Sequence, residues 1–404
     1  MKPVIPRFQT VPPLSLYVHL PWCVRKCPYC DFNSHKAAGF DESGYIDALL
    51  EDLQNDLPSV WGRSVHSVFI GGGTPSLFSS RGIERMLAEL RACLPILPSA
   101  EITIEANPGS ADAANFAGYR EAGVNRISIG IQSLHDAQLK ALGRVHDARQ
   151  ALDAFREARR AGFDNINLDL MYALPGQTTA QALDDLKQAI ELGPEHLSHY
   201  QLTIEPNTLF NREPPPNLPD DDSAWSMQQQ CAEAMQDAGY RHYEISAWCQ
   251  PDRQSRHNLN YWRFGDYLGI GAGAHGKITL PAENQVVRTL RQRQPERYLE
   301  ASGAQRLSAT NPLAPADLVF EFMLNALRLV DGFDTELFAQ HCGIDPQVLM
   351  PAVNISCRKG LLKKEQNRLQ PTALGLRFHN DLQALFLEPD LSAANRVAPV
   401  LHFE

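Results

Sequence analysis

The sequence lacks any apolar run that approaches the roughly 18 residues a membrane span requires. Prolines at positions 3, 6, 12 and 13 interrupt residues 1–20, where a secretory signal needs a continuous apolar stretch. Basic residues are in deficit, because 37 Lys and Arg stand against 47 Asp and Glu and leave a net charge of -10. These absences argue against a membrane-spanning, a secreted or a general nucleic-acid-binding protein.

Cysteine is also sparse, with eight in 404 residues. Five of them, at positions 93, 231, 249, 342 and 357, are scattered and do not form a disulfide framework. We therefore predict a cytoplasmic protein, where thiols stay reduced. The length and the 44% apolar content predict about two or three globular domains.

The remaining cysteines, Cys23, Cys27 and Cys30, stand in C-x3-C-x2-C spacing, and no fourth cysteine lies near them in the sequence. A cuboidal 4Fe-4S cluster normally takes four thiolates. Three thiolates would leave one iron with an open position that a small molecule can occupy. The spacing therefore indicates a reactive iron site.

Two other interpretations use the same residues. Zinc could take the three thiolates with His19 or His35 as its fourth ligand, although the second ligand pair usual in structural zinc sites is not visible in the sequence. The segment 27–30 alone is typical of a redox dithiol, whose reactivity comes from a lowered thiol pKa. The dithiol hypothesis leaves Cys23 without a role.

From residue 14 to about residue 203 the chain alternates short apolar strands with amphipathic helices. This alternation predicts parallel βαβ units, and six of them would form an open, partial (β/α)6 barrel in the α/β class. The predicted strands are residues 14–20, 65–70, 101–105, 126–131, 165–171 and 196–203, and the predicted helices include residues 45–57, 82–94, 148–161 and 180–192.

Polar or glycine-rich residues follow the predicted strands. The cysteine loop follows the first strand and the glycine run 71–74 follows the second, while Glu105 ends the third. Gln132 and Asp169 lie late in the fourth and fifth strands. In barrels of parallel strands the active site lies at the carboxyl ends, so we expect these residues to share one edge.

The cysteine spacing and its barrel setting resemble the radical S-adenosylmethionine (SAM) superfamily. The resemblance implies that the amino and carboxylate groups of SAM chelate the open iron, and that an electron from the cluster splits the sulfonium to give a 5'-deoxyadenosyl radical. It also implies that Cys23, Cys27 and Cys30 hold a 4Fe-4S cluster. By resemblance the SAM contacts are Tyr17, Gly72, Gly73, Thr74, Glu105, Gln132, Arg144 and Asp169.

The chemistry of these residues suits the roles that the resemblance implies. Glycine lets bare backbone approach the methionine amino group closely. Glu105 can accept hydrogen bonds from ribose hydroxyls, and the guanidinium fork of Arg144 suits a carboxylate. A tight turn for the glycine run and a solvated strand end for Glu105 are the structural alternatives.

Within the superfamily, the chain from about Tyr17 to Phe378 resembles the branch that contains oxygen-independent coproporphyrinogen III dehydrogenase and the HemW-type heme chaperones. The dehydrogenase has a further cysteine two positions after its last cluster ligand, where this chain has Phe32. It also carries a longer segment before its cluster, whereas 22 residues precede Cys23 here. Both differences favour the chaperone.

The segment 257–262 supplies positive support, because it matches the H-N-x-x-Y-W heme-binding signature of the chaperone. By resemblance His257 is an axial ligand of heme iron, and Tyr261 and Trp262 offer flat faces to the porphyrin. The structural alternative is a capped turn whose two aromatic rings enter the core. His275, in the glycine cluster 269–276, is a minor alternative ligand; this cluster fails the dinucleotide fingerprint.

Three regions are predicted: the barrel at 1–250, the signature segment with a polar connector at 251–311, and a helical, winged-helix-like domain at 312–404. In the last, between Asp317 and Asp381, seven Lys or Arg stand against eight Asp or Glu. A winged helix that binds DNA would need a basic surplus, so packing or partner binding is the expected use.

The predicted function is that of a heme chaperone, which binds heme covalently or tightly and transfers it to apo-hemoproteins. The 4Fe-4S cluster and SAM would control transfer or assembly, and a flavodoxin-like or ferredoxin-like protein would donate the electron. A visit to the membrane surface is compatible with handling respiratory heme, although the sequence shows no anchor. The alternative is an enzyme that catalyses the SAM-dependent oxidative decarboxylation of coproporphyrinogen III in heme biosynthesis.

Overall fold

A computed structural model describes residues 4–37, 39–109, 113–389 and 391. Its main feature among these residues is a twelve-stranded sheet with strand order β14-β13-β12-β11-β1-β4-β5-β6-β7-β8-β10-β9. The strands β1 to β17 of the described chain are Leu14–Leu20, Trp22–Cys23, His35–Lys36, Val65–Gly72, Ile96–Ala106, Arg126–Gln132, Ile166–Tyr172, His196–Gln201, Arg241–Glu244, Ala247–Cys249, Asp266–Ile270, His275–Leu280, Gln285–Arg291, Leu307–Pro312, Phe333–Asp334, Leu362–Glu365 and Arg368–Pro371.

Helices connect the strands of the sheet and then dominate the C-terminal part. In the described residues the helices α1 to α15 are Glu42–Asp56, Ser80–Cys93, Phe116–Glu121, Asp136–Ala141, Ala148–Arg160, Thr179–Glu191, Leu209–Arg212, Asp221–Asp237, Arg256–Trp262, Pro295–Glu300, Pro315–Ala326, Thr335–Cys342, Met350–Arg358, Ala373–Arg377 and His379–Ala384. No helix of the described chain is long and apolar enough to cross a bilayer.

The predicted partial barrel is confirmed. Strands β1, β4, β5, β6, β7 and β8 run parallel and occupy the six predicted positions, with ends that differ by a few residues. Near-continuous burial along β1 and β6 fits a sheet covered on both faces. Local signals fix the helix starts: Asp147 with Gln150 forms a capping box at α5, and Thr178 with Gln181 forms one at α6.

A seventh parallel strand, β11, pairs with β1 from Leu14 against Asp266 to Val18 against Ile270. The sequence analysis missed it because a charged residue begins it and a glycine lies within it. Asp266 is fully buried, and its carboxylate receives Lys277 Nζ at 2.8 Å and Arg63 Nη1 at 2.8 Å. These cationic partners offset the free-energy cost of burying the carboxylate, so a strand that begins with a charged residue can lie in the core.

The polar stretch 288–311, predicted to be a connector, is largely ordered into the main sheet. Strands β13 and β14 pair antiparallel there, and α10 lies between them. The stretch is polar because β14, with its alternating half-exposed and exposed residues, forms an outer edge of the sheet. The boundary at residue 311 between the second and third predicted domains stays a prediction, as does that at residue 250.

The C-terminal region is helical, as predicted, with a small sheet in the order β15-β17-β16. Strands β16 and β17 form an antiparallel hairpin, so the region has the elements of a winged helix. Its core is a separate cluster that includes Phe322, Phe338 and Leu369, and Phe264 and Val286 join it from the preceding segment. The predicted domain runs to residue 404, and its residues 390 and 392–404 lie outside the described chain.

Candidate functional site

A cavity of about 300 Å³ lies at the carboxyl edge of the parallel strands. Cys23, Cys27 and Cys30 line it, and so do seven of the eight residues that the resemblance implied as SAM contacts. We call it the cluster cavity. The seven residues are Gly72, Gly73, Thr74, Glu105, Gln132, Arg144 and Asp169.

The cysteine loop is held closed by its own backbone. Strands β2 and β3 pair in parallel, with Trp22 opposite His35 and Cys23 opposite Lys36, and Cys30 N donates to Cys27 O at 3.2 Å. Burial raises the thiol pKa of Cys23 and of Cys30, so both are neutral at pH 7 until a metal displaces their protons.

The donor set fits an iron-sulfur cluster better than a single ion. Three cysteine sulfurs face one cavity, yet no three His, Cys, Asp or Glu side chains of the described residues converge on one ion position. One zinc ion needs its ligands at a single point, whereas a cuboidal cluster spreads them over several irons. His19 is also unsuited to zinc, because its ring nitrogens lie 2.9 Å from Tyr17 OH and 2.8 Å from Asn33 O.

Arg144 reaches from the turn after α4 into the wall beside the cysteines. Its Nη1 donates to Cys27 Sγ at 3.5 Å, and its Nη2 donates to Asn107 Oδ1 at 2.7 Å and to Gly130 O at 2.8 Å. Its buried Nε has no hydrogen-bond partner in the described chain. A buried guanidinium with an unpartnered N–H suits an anionic group in the cavity.

Two half-buried carboxyl groups face the same space. Glu105 Oε2 accepts from Gly72 N at 3.0 Å, and Asp169 accepts from Ser128 Oγ and Asn167 Nδ2 at 3.1 and 2.9 Å. Removal from water and, second, the charge of Asp169 raise the pKa of Glu105 to about 8. Removal from water also raises the pKa of Asp169. Neither acid forms a salt bridge with the described residues, and two neighbouring acids favour a cationic ligand.

The glycine run and Gln132 have special backbone requirements. A Cβ on Gly73 would lie 2.5 Å from Trp22 O in the cysteine loop, so only glycine lets strand and loop meet. Gly73 N and Thr74 N donate to Leu20 O and Trp22 O. Gln132 has a φ of 66° at a register shift between β6 and β7, a strained conformation common at functional sites.

Asn107 and Tyr200 complete the wall, and no role was predicted for either. Asn107 bridges Thr74 Oγ1 and the guanidinium of Arg144, and Tyr200 OH donates to Gln132 Oε1 at 2.9 Å. Asn107 directly follows β5, which ends at Ala106. Tyr200 lies late in β8, and this position at the carboxyl edge was the signal that could have found it.

Tyr17 lies elsewhere. It lines a second cavity of about 500 Å³, which we call the tyrosine groove, and is absent from the lining of the first. The two cavities share Asp31, Phe32, Gly72 and Glu105 as a common wall. The complete lining of the groove is Tyr17, His19, Asp31, Phe32, Asn33, Gly72, Glu105, Tyr261, Tyr267, Gly273, His275, Leu290 and Arg293.

The signature residues on α9 do not face one pocket. His257 is 1% exposed, its Nδ1 lies 3.0 Å from Ser67 Oγ and its Nε2 lies 3.1 Å from Tyr261 OH. Trp262 packs under Arg328, with 4.2 Å between the guanidinium carbon and the ring centroid. Both ring nitrogens of His257 are therefore engaged in hydrogen-bond contacts in this structure, and its role as a heme ligand stays a prediction.

The helix that carries these residues is capped at its start. Ser255 Oγ accepts from Asn258 N, and the buried carboxylate of Glu101 accepts from the backbone of Arg256 and His257. Burial lowers the pKa of His257 to about 3, so its imidazole is neutral. Tyr261 alone of the three signature side chains lines either of the two cavities.

Comparison with known proteins assigns the family. The radical SAM superfamily profile matches residues 17–189, and the HemN C-terminal domain profile matches residues 313–378. A protein of Escherichia coli (strain K12) named heme chaperone HemW is 47% identical over 378 residues, which cover 93% of this chain and 99% of that relative. The chain belongs to the HemW family of radical SAM proteins.

Other relatives agree with this assignment. A Haemophilus influenzae protein, also named heme chaperone HemW, is 46% identical over 93% of this chain and 98% of its own length. The solved coproporphyrinogen III oxidase (HemN) of Escherichia coli superposes with a TM-score of 0.78 at 23% identity, covering 93% of this chain and 90% of that chain, which shows a shared fold. Membership of the radical SAM superfamily implies a 4Fe-4S cluster and SAM as cofactors.

Proposed function

We propose that the chain is a heme chaperone, which binds heme and transfers it to apo-hemoproteins with a 4Fe-4S cluster and SAM at the cluster cavity. The observation that carries the proposal is the identity of 47% to a protein named heme chaperone HemW along nearly the whole of both chains. The proposed setting is the cytoplasm, with a flavodoxin-like or ferredoxin-like protein as electron donor.

In this proposal Cys23, Cys27 and Cys30 hold three irons of the cluster. Arg144 takes the carboxylate of SAM, because its guanidinium lies in the cavity wall beside Cys27. The ammonium group of SAM is a hydrogen-bond donor, so backbone carbonyl oxygens of the glycine run would accept from it, while the N–H groups of Gly73 and Thr74 donate to Leu20 O and Trp22 O. When bound, the cluster and SAM supply one-electron chemistry at the sulfonium.

The remaining proposed SAM contacts divide by charge and shape. Glu105 and Asp169 face the cationic part and the ribose, where carboxyl groups accept hydrogen bonds. Gln132, held by Tyr200, faces the adenosine. Tyr17 lies in the neighbouring groove, so its proposed role is indirect, through His19 behind the cysteine loop.

Transfer tests the function directly. Protein loaded with heme should deliver it to an apo-hemoprotein, and the delivery is measured as heme absorbance on the separated acceptor. Retention of all heme by the donor would contradict the proposal. The cluster is checked by anaerobic reconstitution, in which a paramagnetic signal of the reduced iron centre should change when SAM is added. Zinc in place of iron would overturn the cluster assignment.

Dehydrogenase activity is the alternative outcome of a second assay. Phe32 occupies the position of the further cysteine expected of the dehydrogenase, and its side chain is 60% exposed in the wall between the two cavities. Reconstituted protein with SAM, reductant and coproporphyrinogen III should form no protoporphyrinogen. Formation of that product with repeated turnover would replace the chaperone proposal with the enzyme.

A further inference from the structure

We infer that heme binds in the tyrosine groove, with His275 as an iron ligand and Arg293 as the partner of a propionate carboxylate. The inference rests on the proposed heme-chaperone function and moves the iron ligand from His257 to another histidine. The volume of about 500 Å³ falls within the range of small-molecule sites, about 300–1,000 Å³.

The groove has the flat walls that a porphyrin needs. Tyr17, Tyr261 and Tyr267 line one side, and the rings of Tyr261 and Tyr267 meet edge to face with centroids 4.5 Å apart. Phe32 lies at the boundary with the cluster cavity and leaves 60% of its side chain exposed. Exposed aromatic surface next to a cavity is a binding feature, because burial of that surface stabilises the complex.

Of the two histidines that line the groove, His275 alone has an uncommitted imidazole. His19 is buried, and both of its nitrogens are in hydrogen-bond contact, with Tyr17 and Asn33. The ring of His275 is exposed and makes no hydrogen bond to the described residues.

Charge is arranged to orient an amphipathic, carboxylate-bearing ligand. Arg293 is exposed and forms no ion pair with the described residues, whereas Arg288 is already bound to Glu321 and Tyr267. The acidic residues of the groove, Asp31 and Glu105, lie in the wall shared with the cluster cavity. Propionates therefore favour the Arg293 end, and the macrocycle extends towards Phe32.

A cysteine-loop residue also positions the proposed ligands. Asn33 Nδ2 donates to Ala272 O and to Arg293 O, both at 2.9 Å. Gly273 has a φ of +80° and admits the Asn33 side chain, since a Cβ there would lie 2.2 Å from its Nδ2. These contacts connect the cysteine loop to the segment that precedes His275 and to the backbone of Arg293.

Hemin titration of the cluster-loaded protein, followed by absorbance, tests the inference. We expect His275→Ala to weaken binding at least tenfold and to lose the imidazole-ligated heme band, which free imidazole should restore. Arg293→Glu should weaken hemin binding at least threefold but leave binding of hemin dimethyl ester unchanged, because the ester has no carboxylate. His66→Ala, an exposed histidine away from the groove, is the matched control and should bind normally.

The outcomes separate this inference from the proposed function. If the unsubstituted protein binds hemin and His275→Ala retains both affinity and spectrum, the groove assignment is wrong while the chaperone proposal stands. Loss of the ligand band in His257→Ala with cluster content preserved, and its retention in His275→Ala, would return the role to the signature histidine. Absence of hemin binding in the unsubstituted protein would overturn the proposed function itself.

Discussion

The cluster cavity and the tyrosine groove share a wall but differ in how far their polar groups are already bonded. Around the cluster cavity Arg144, Glu105 and Asp169 are half-buried and hydrogen-bonded to neighbouring side chains or backbone. In the groove His275 and Arg293 are exposed, and neither side chain has a hydrogen bond or ion pair to the described residues.

The difference suits the two kinds of ligand proposed here. A resident cofactor gains from donors and acceptors that are fixed before it binds, because little ordering cost remains. A cargo that must leave again needs a site open to solvent and few committed partners. The following experiments test whether the two cavities divide in this way.

The largest effect is expected from the cluster ligands. Cys27→Ser should abolish assembly of a stable 4Fe-4S cluster, because two thiolates remain where three are needed. Iron and sulfide content after anaerobic reconstitution measure the loss. Cys357→Ser changes a partly buried cysteine on α13, remote in sequence from the loop, and should keep its iron. A stable cluster in Cys27→Ser would contradict the assignment of that ligand.

The strands beside the tyrosine groove contain a buried ion cluster of Asp266, Lys277 and Arg63. Asp266→Asn leaves the ammonium of Lys277 buried without its carboxylate, and we expect a stability loss of about 3–5 kcal/mol. The midpoint of urea unfolding measures it. The control Asp153→Asn breaks only exposed pairs with Arg149 and Arg156, for which a loss below about 1 kcal/mol is expected. Equal midpoints for the two variants would show that Asp266 does not support the fold.

The variant His257→Ala tests whether the signature helix α9 supports the fold or binds heme. His257→Ala should lower stability by about 1–3 kcal/mol, because Ser67 and Tyr261 lose a hydrogen-bond partner inside the protein. Hemin affinity should change less than threefold in the same variant. Urea unfolding and hemin absorbance give the two numbers. Unchanged stability together with abolished hemin binding would show that His257 binds heme and does not support the fold.

The smallest expected effect is a pH dependence of the cluster cavity. Below its raised pKa of about 8, Glu105 is mostly protonated, and it ionises as the pH rises. A cationic ligand favours the ionised form, so SAM affinity should increase by at most about tenfold per pH unit between about pH 6 and 8, and then level off.

Calorimetric titration of the cluster-loaded protein with SAM measures this slope. Glu105→Gln should remove most of it, whereas Asp184→Asn, at an exposed position on α6, should leave it unchanged. Affinity that falls as the pH rises, or an equal slope in Glu105→Gln, would place the cationic part of SAM away from Glu105.

Much of the fold could be predicted because its signals are local. Short apolar runs and helical spacing located the six strands and several of their helices, and the position at or after a strand end brought the cysteines, Glu105 and Asp169 to one edge. Strand β11 was not predicted, because it begins with the charged Asp266. The charge is neutralised by Lys277 and Arg63, and sequence periodicity does not connect these residues with Asp266.

The sequence by itself determined the residue types, their spacing and the edge of the barrel at which they gather. Only the tertiary structure decided which nitrogens and oxygens remain free. His257 is bonded to Ser67, 190 positions away, while His275 projects into an open groove beside Arg293. The physical reason is that each side chain forms hydrogen bonds with the groups that the fold brings within about 3 Å of it. No local sequence pattern records those long-range contacts.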